Sequence, residues 1–248
     1  MKRWSICVLT LALGANLAPA AAQEEKAPSK PFVYASYFEC DGTRLGEVDD
    51  LMKKMAPLYQ KAVADKKLAN WGWLRHHTGG VWRRGFYAVG SEAEGLMATM
   101  DALADESSKI EGAAAFGAIC GSHVDYLWQQ ASSSPVSATD APGAVGVSVY
   151  YECDFNGEEF ADVIVENLLA PVFNAHVGEG KLKSWSWLQH QIGGKFRRLL
   201  ALRAGDRAAL LKTWGEIIDE LSDKHGPTLR AFSGICFSHE DYLWLSGS

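Results

Sequence analysis

Apolar and polar side chains alternate with a period close to two along residues 71–84, which points to strand rather than helix. Trp71, Trp73 and Leu74 precede Gly79-Gly80, and Val81 and Trp82 follow it. A two-residue primed turn needs positive φ at its centre, so this pattern predicts a β-hairpin turning at the two glycines. In that register Thr78 faces Val81, His77 faces Trp82, His76 faces Arg83, Arg75 faces Arg84 and Trp73 faces Phe86. Trp71, Trp73, Phe86 and Ala88 then share a bulky apolar face suited to packed helices. Leu74, His76, Arg83, Gly85 and Tyr87 share the other face, which is mixed and polar.

The same stretch returns at residues 185–198, with both Trp, the Leu, the His, the Gly-Gly and the Arg-Arg in register. Residues 119–128 return as 235–244 with only two positions changed, and Tyr37, Glu39, Cys40 and Asp41 return as Tyr150, Glu152, Cys153 and Asp154. Ala56-Pro57 is echoed by Ala170-Pro171. Colinear identity of this kind marks a tandem duplication.

Each copy reads as β-α-β-β-α-β. A strand covers residues 33–40, and a helix covers 47–68. That helix should kink or restart at Pro57, because proline inside a helix costs about 3 kcal/mol. The hairpin follows, then a second helix opened by a capping box at residues 91–94 and, in the second copy, by Asp206 to about residue 223. A last strand covers 125–129. The order is that of a ferredoxin-like unit, whose helices cover one sheet face and leave the other bare. The expected fold is therefore α+β: two tandem ferredoxin-like βαββαβ repeats packed sheet to sheet as a pseudo-twofold α/β barrel. The boundaries read as a signal peptide over 1–22, a flexible lead over 23–31, repeat 1 over 32–129, a Ser-, Ala- and Pro-rich linker over 130–144, and repeat 2 over 145–248.

Lys2-Arg3, the apolar run that follows and Ala20-Ala21-Ala22 form a secretory signal cleaved after Ala22, with an apolar run too short to span a membrane. The expected location is periplasmic or secreted. Loss of Lys2 and Arg3 takes the formal charge from −6 to −8. That balance, with no basic stripe, excludes nucleic acid and anionic membrane as partners. Four cysteines remain, and exported chains oxidise them. In this fold the end of the first strand neighbours the start of the fourth, which selects Cys40–Cys120 and Cys153–Cys236 among three pairings. Each bridge closes a long loop and contributes about 4 kcal/mol in the chain-entropy model.

The W-x-W-L-x-H-x-x-G-G hairpin within an exported α+β unit resembles the dimeric α/β-barrel superfamily, which includes stress-response barrels, antibiotic-biosynthesis-type monooxygenases and haem-handling relatives. The resemblance implies the fold and maps no catalytic motif onto these residues. His76 opposite Arg83, matched by His190 opposite Arg197, is the leading site candidate. On the same face stand Tyr37, Glu39, Tyr150 and Glu152. Together these eight define an expected pocket between the repeats for an anionic or aromatic ligand. Glu39, His123 and Asp125 are expected at one end of the sheet, with His76 and Arg83 at the other. A zinc site is excluded because His77 points away from His76 and its counterpart is Gln191. No cofactor is required. Haem is the one that the resemblance brings in, with His76 or His190 as axial ligand, and the absence of C-x-x-C-H excludes covalent attachment.

The resulting reading is an exported, non-catalytic or small-ligand-binding protein. The alternative is a cofactor-independent or haem-dependent oxygenase or isomerase. Whether it is an enzyme, and its oligomeric state, are left open by the sequence. Residues 23–130 or 143–248 expressed alone should dimerise or aggregate, because one unit leaves its sheet face uncovered. Size-exclusion chromatography showing a stable monomer of either half would contradict the pairing of the two copies.

Overall fold

A computed structural model describes residues 30–134 and 144–247. The signal, most of the lead and most of the linker expected above lie outside the described residues. The first half runs β1 (Phe32–Glu39), α1 (Leu45–Ala64), β2 (Asn70–Gly79), β3 (Arg84–Gly90), α2 (Ala93–Ser108), α3 (Ala113–Ile119) and β4 (Ser122–Ser133). The second half runs β5 (Val145–Glu152), a 3-10 turn (Phe155–Gly157), α4 (Glu158–Ile164), a π-helical segment (Val165–Leu169), α5 (Ala170–Gly178), β6 (Ser184–Gly193), β7 (Arg198–Ala204), α6 (Arg207–Ile235) and β8 (Ser238–Gly247).

The eight strands close into one antiparallel barrel in the order β1-β3-β2-β8-β5-β7-β6-β4. The expected barrel is present, but the halves join edge to edge through β2–β8 and β4–β6 and do not pack sheet face to sheet face. An open edge strand leaves a row of N–H and C=O groups unpaired, and closure removes every edge. β4 serves this seam by running to Ser133, past the expected end at Gln129, and Ser133 pairs with Ser186.

The hairpin keeps its expected register from Asn70↔Val89 through Trp73↔Phe86 to Arg75↔Arg84. The next rung is kept as well, with His76 N–H donating to the Arg83 carbonyl at 3.1 Å, and beyond it the hairpin departs from the two-residue turn. Thr78 pairs with Leu243 and Gly79 with Tyr242 of β8, while Arg83 donates its backbone N–H to Phe38 at 2.8 Å. Competition from β8 for the end of β2 is the cause. Gly79 has φ +129°, and a Cβ there would stand 2.3 Å from the Asp241 carbonyl, so only glycine fits the seam. Freed from pairing, Trp82 folds inward and is buried.

Helices cover the outside. Trp73, Phe86 and Ala88 pack against Val48, Met52 and Tyr59, with Trp71 at the margin. Trp185, Trp187, Leu200 and Leu202 pack against Phe173, Leu210 and Ile217. The inward faces of both halves meet in a third cluster inside the barrel, dominated by Tyr37, Trp82, Trp128, Tyr150, Phe196 and Trp244.

Three helix details differ from expectation. α1 continues through Pro57 without interruption, whereas Pro171 follows the π-helical segment at the start of α5. No side-chain cap forms at α2, so the capping box is not made, but Asp206 does cap α6 by accepting from Ala209 at 2.8 Å. α6 extends past residue 223 to Ile235, broken by the non-helical His225 ahead of Pro227.

The bridges Cys40–Cys120 and Cys153–Cys236 are both present. A second tie joins each hairpin to its first helix. Arg84 makes a two-point contact with Asp49 at 2.7 and 2.8 Å, and Trp73 Nε1 donates to the same carboxylate at 2.8 Å. Arg198, Asp162 and Trp187 repeat the arrangement at 2.7, 2.8 and 2.7 Å. Both arginines are buried, and removing Asp49 strands the charge of Arg84, whereas Arg198 keeps Glu158 at 3.0 Å when Asp162 is lost. Asp49→Ala should therefore destabilise the protein by about 3–5 kcal/mol, read as a lowered urea midpoint, and Asp162→Ala by less.

Candidate functional site

The barrel interior holds a cavity of about 500 Å³. It opens where β1 and β5 begin, at Pro31, Ser134, Gly146 and Ser246, and it ends inward against Tyr37, Trp128, Tyr150 and Trp244. Leu74, Leu188 and Leu199 form its flanks. The other end of the barrel is filled by the inward-folded Trp82 and Phe196. Trp82 stacks on Tyr37 at 4.5 Å and on Tyr242 at 4.8 Å between ring centres. Two requirements thus place the cavity: period-two alternation turns alternate residues of every strand inward, and aromatic bulk fills only the turn end.

Polar groups collar the mouth. Ser133, Ser184 and Ser186 line it, and Arg203 donates to Tyr87 Oη at 3.0 Å and to Ser246 Oγ at 2.8 Å. Arg203 is the one formally charged side chain among the described lining residues. The inner end differs. Trp128 Nε1, Trp244 Nε1 and Tyr150 Oη are buried and make no hydrogen bond among the described residues. Leaving such a group unsatisfied costs about 1–3 kcal/mol. Burial pushes the Tyr37 and Tyr150 hydroxyls well above the ordinary phenol range, so both stay protonated at any physiological pH.

Of the eight residues expected to line a pocket, only Tyr37 and Tyr150 do so. His76, Arg83, His190, Arg197, Glu39 and Glu152 stand outside the cavity wall. His76 lies half-buried beside β8, its ring 6.1 Å from Trp244 and 6.3 Å from Tyr242. Arg83 reaches only back to the Gly80 carbonyl at 3.4 Å. Arg197 leaves the barrel altogether: its Nε donates to Glu158 of α4 at 2.6 Å, and Arg198 holds the same carboxylate at 3.0 Å. Glu152 pairs with Lys195 at 2.8 Å on the surface, and Glu39 is exposed. The anion site expected from two His and two Arg does not assemble. His76 and His190 stay in the barrel strands, paired with Trp244 and Trp128, but at the turn end, away from the cavity.

One geometric expectation is reversed. Glu39 lies at the hairpin-turn end, since Phe38 pairs with Arg84 and accepts from Arg83 N–H. In antiparallel pairing the end of β1 meets the start of β3, so Glu39, His123 and the turn share one end.

His190 is neutral in this arrangement. Arg197 Nη1, always a donor, sits 2.7 Å from His190 Nδ1, which leaves Nε2–H to donate to the Gly193 carbonyl at 3.3 Å. Burial lowers the affinity of both His76 and His190 for a proton, and Arg83 and Arg197 lower it further.

The cavity wall contains no His, Cys, Met, Asp or Glu among the described residues, and neither His76 nor His190 reaches it, so the axial ligand expected from the sequence does not stand in the cavity. Sequence reasoning missed Trp128, Trp244 and the serine collar. Their signal was present in parity: Tyr126 and Trp128 alternate on one face of β4, as Tyr242 and Trp244 do on β8.

No family model and no curated protein matches the chain. Solved structures do match in fold. A protein from Lactobacillus acidophilus NCFM named as a candidate monooxygenase has a TM-score of 0.59 at 9% identity, covering 88% of this chain and 95% of that one. A chlorite dismutase variant from Candidatus Nitrospira defluvii gives 0.54 at 7% identity, covering 89% and 92%. An anthrone oxidase-like protein gives 0.53 at 14% identity, covering 88% and 91%. These neighbours are dimeric α/β-barrel proteins, and the likeness is one of fold.

The histidine environment has a pH consequence. Both histidines bind protons less readily folded than unfolded, so stability is flat above the ordinary histidine range and falls as pH drops through it. A His76→Gln, His190→Gln variant should lose less Tm than the parent between pH 8 and pH 5. Parallel Tm–pH curves would refute the assignment.

Proposed function

We propose that the chain is a tandem pair of ferredoxin-like units, exported from the cytosol, that together enclose a binding cavity for a small aromatic molecule. The observation that carries this reading is the cavity itself: about 500 Å³, closed at one end by stacked aromatics and open at the other. Ligand pockets are commonly about 300–1,000 Å³ and mostly apolar with a few placed polar groups. Flat rings gain from edge and face contact with tryptophan and tyrosine, and the inner wall offers both. The two disulfides support an oxidising compartment. Among the described residues no helix is long and apolar enough to cross a membrane.

A second reading, a cofactor-independent oxygenase acting in the same cavity, draws on the neighbours named as a monooxygenase and as anthrone oxidase-like. General-base chemistry needs a group that is deprotonated near neutral pH and in reach of the ligand. The cavity wall holds no His, Asp or Glu among the described residues, and burial keeps its inner tyrosines, Tyr37 and Tyr150, protonated, which favours binding over turnover.

The test uses 2-ethylnaphthalene as an aromatic probe, titrated against intrinsic tryptophan fluorescence. Ala201 lines the cavity and is only partly buried, so Ala201→Trp fills space without crowding the closed core. The parent should bind the probe and Ala201→Trp should bind it at least tenfold more weakly with Tm little changed. Equal binding by both proteins would remove the cavity as the site.

A further inference from the structure

Trp128 and Trp244 occupy corresponding places in the two halves, each two residues after a tyrosine on an inward strand face. Their indole nitrogens, with Tyr150 Oη, are the buried atoms at the cavity's inner end that no protein group satisfies. Trp128 is 0% exposed, Tyr150 0% and Trp244 2%. An indole N–H can only donate, and its natural partner is an acceptor oxygen. Tyr37, Ser148 and Trp244 lie near enough to weigh on the titration of Tyr150, and Trp128 on that of Tyr37, but neither indole nitrogen nor Tyr150 Oη makes a sound hydrogen bond. At the bottom of an aromatic cavity, two indole donors thus stand beside tyrosine hydroxyls without completing a hydrogen bond to them.

Building on the cavity as a binding site, we infer that its ligand is an uncharged aromatic carbonyl compound, seated with the carbonyl oxygen at the inner end against Trp128, Trp244 and Tyr150. The three polar atoms lie just beneath the cavity surface. A swing about χ2 of either tryptophan, a broad torsion, brings an N–H to the ligand. The charge of the ligand follows from what surrounds it. The inner wall holds no cation, and Arg203 stands at the mouth, so an anion seated deeply would be desolvated without compensation. An ammonium at the inner end would meet indole N–H groups that can only donate. A hydrocarbon of the same shape fits but leaves the three donors unsatisfied, and a site built around such donors discriminates against a ligand that lacks the acceptor.

The experiment compares 2-acetylnaphthalene with 2-ethylnaphthalene, which have closely similar shapes and differ in the carbonyl. Dissociation constants are measured for the full mature chain, for Trp128→Phe, for Trp244→Phe and for the double variant, with Tyr150→Phe as an independent check. The parent should bind the ketone at least tenfold more tightly than the hydrocarbon. Each tryptophan variant should narrow that ratio and the double variant should bring it near one. Hydrocarbon affinity should hold throughout, which also reports that the cavity remains folded. Equal affinity for both probes in the parent, or a ratio that survives in the double variant, overturns the carbonyl inference while leaving the cavity as a site. Failure of the parent to bind either probe overturns both.

Discussion

Closure of the barrel through β2–β8 and β4–β6 governs the arrangement of everything else. Each half alone would end in strands with unpaired backbone groups, and the two seams satisfy them at once. The seams also set the interior. By drawing the end of β2 onto β8, closure peels the β2–β3 loop off its hairpin and sends Trp82 inward, as the β6–β7 loop sends Phe196. Those two rings fill the turn end, and what remains is the cavity at the opposite end.

Against that shared frame the halves differ where a single position differs. Glu158 in α4 binds Arg197 and Arg198 together, and its counterpart ahead of Asp49 is Leu45, which offers Arg84 only a carbonyl at 3.4 Å. The His190–Arg197 contact is therefore anchored in the second half, while His76 Nε2 remains buried without a partner in the first.

The buried arginine–aspartate ties explain why the Arg-Arg pair recurs. It is the second arginine of each pair, Arg84 and Arg198, that is buried and doubly bonded, locking the hairpin to its helix. The first arginine, which sequence pattern made prominent beside its histidine, is the less constrained of the two.

Period-two alternation, the Gly-Gly signals and the repeat were enough to determine the strands, the outward Trp71/Trp73 and Trp185/Trp187 faces, the hairpin register as far as His76 opposite Arg83, and both disulfide pairings. These are local or near-local properties: side-chain direction follows from strand geometry, and each half brings its own cysteines together. The candidate site was not legible in the same way. Tyr37 and Tyr150 were found because parity alone turns them inward. His76, Arg83, His190 and Arg197 were misplaced because the loop between them answers to a strand more than 150 residues away in the case of His76 and Trp244. Whether the barrel closes by edges or stacks by faces, which rings fill its turn end, and where an opening survives are decided by long-range pairing and by the volume of side chains meeting from both halves, and no local pattern encodes either quantity.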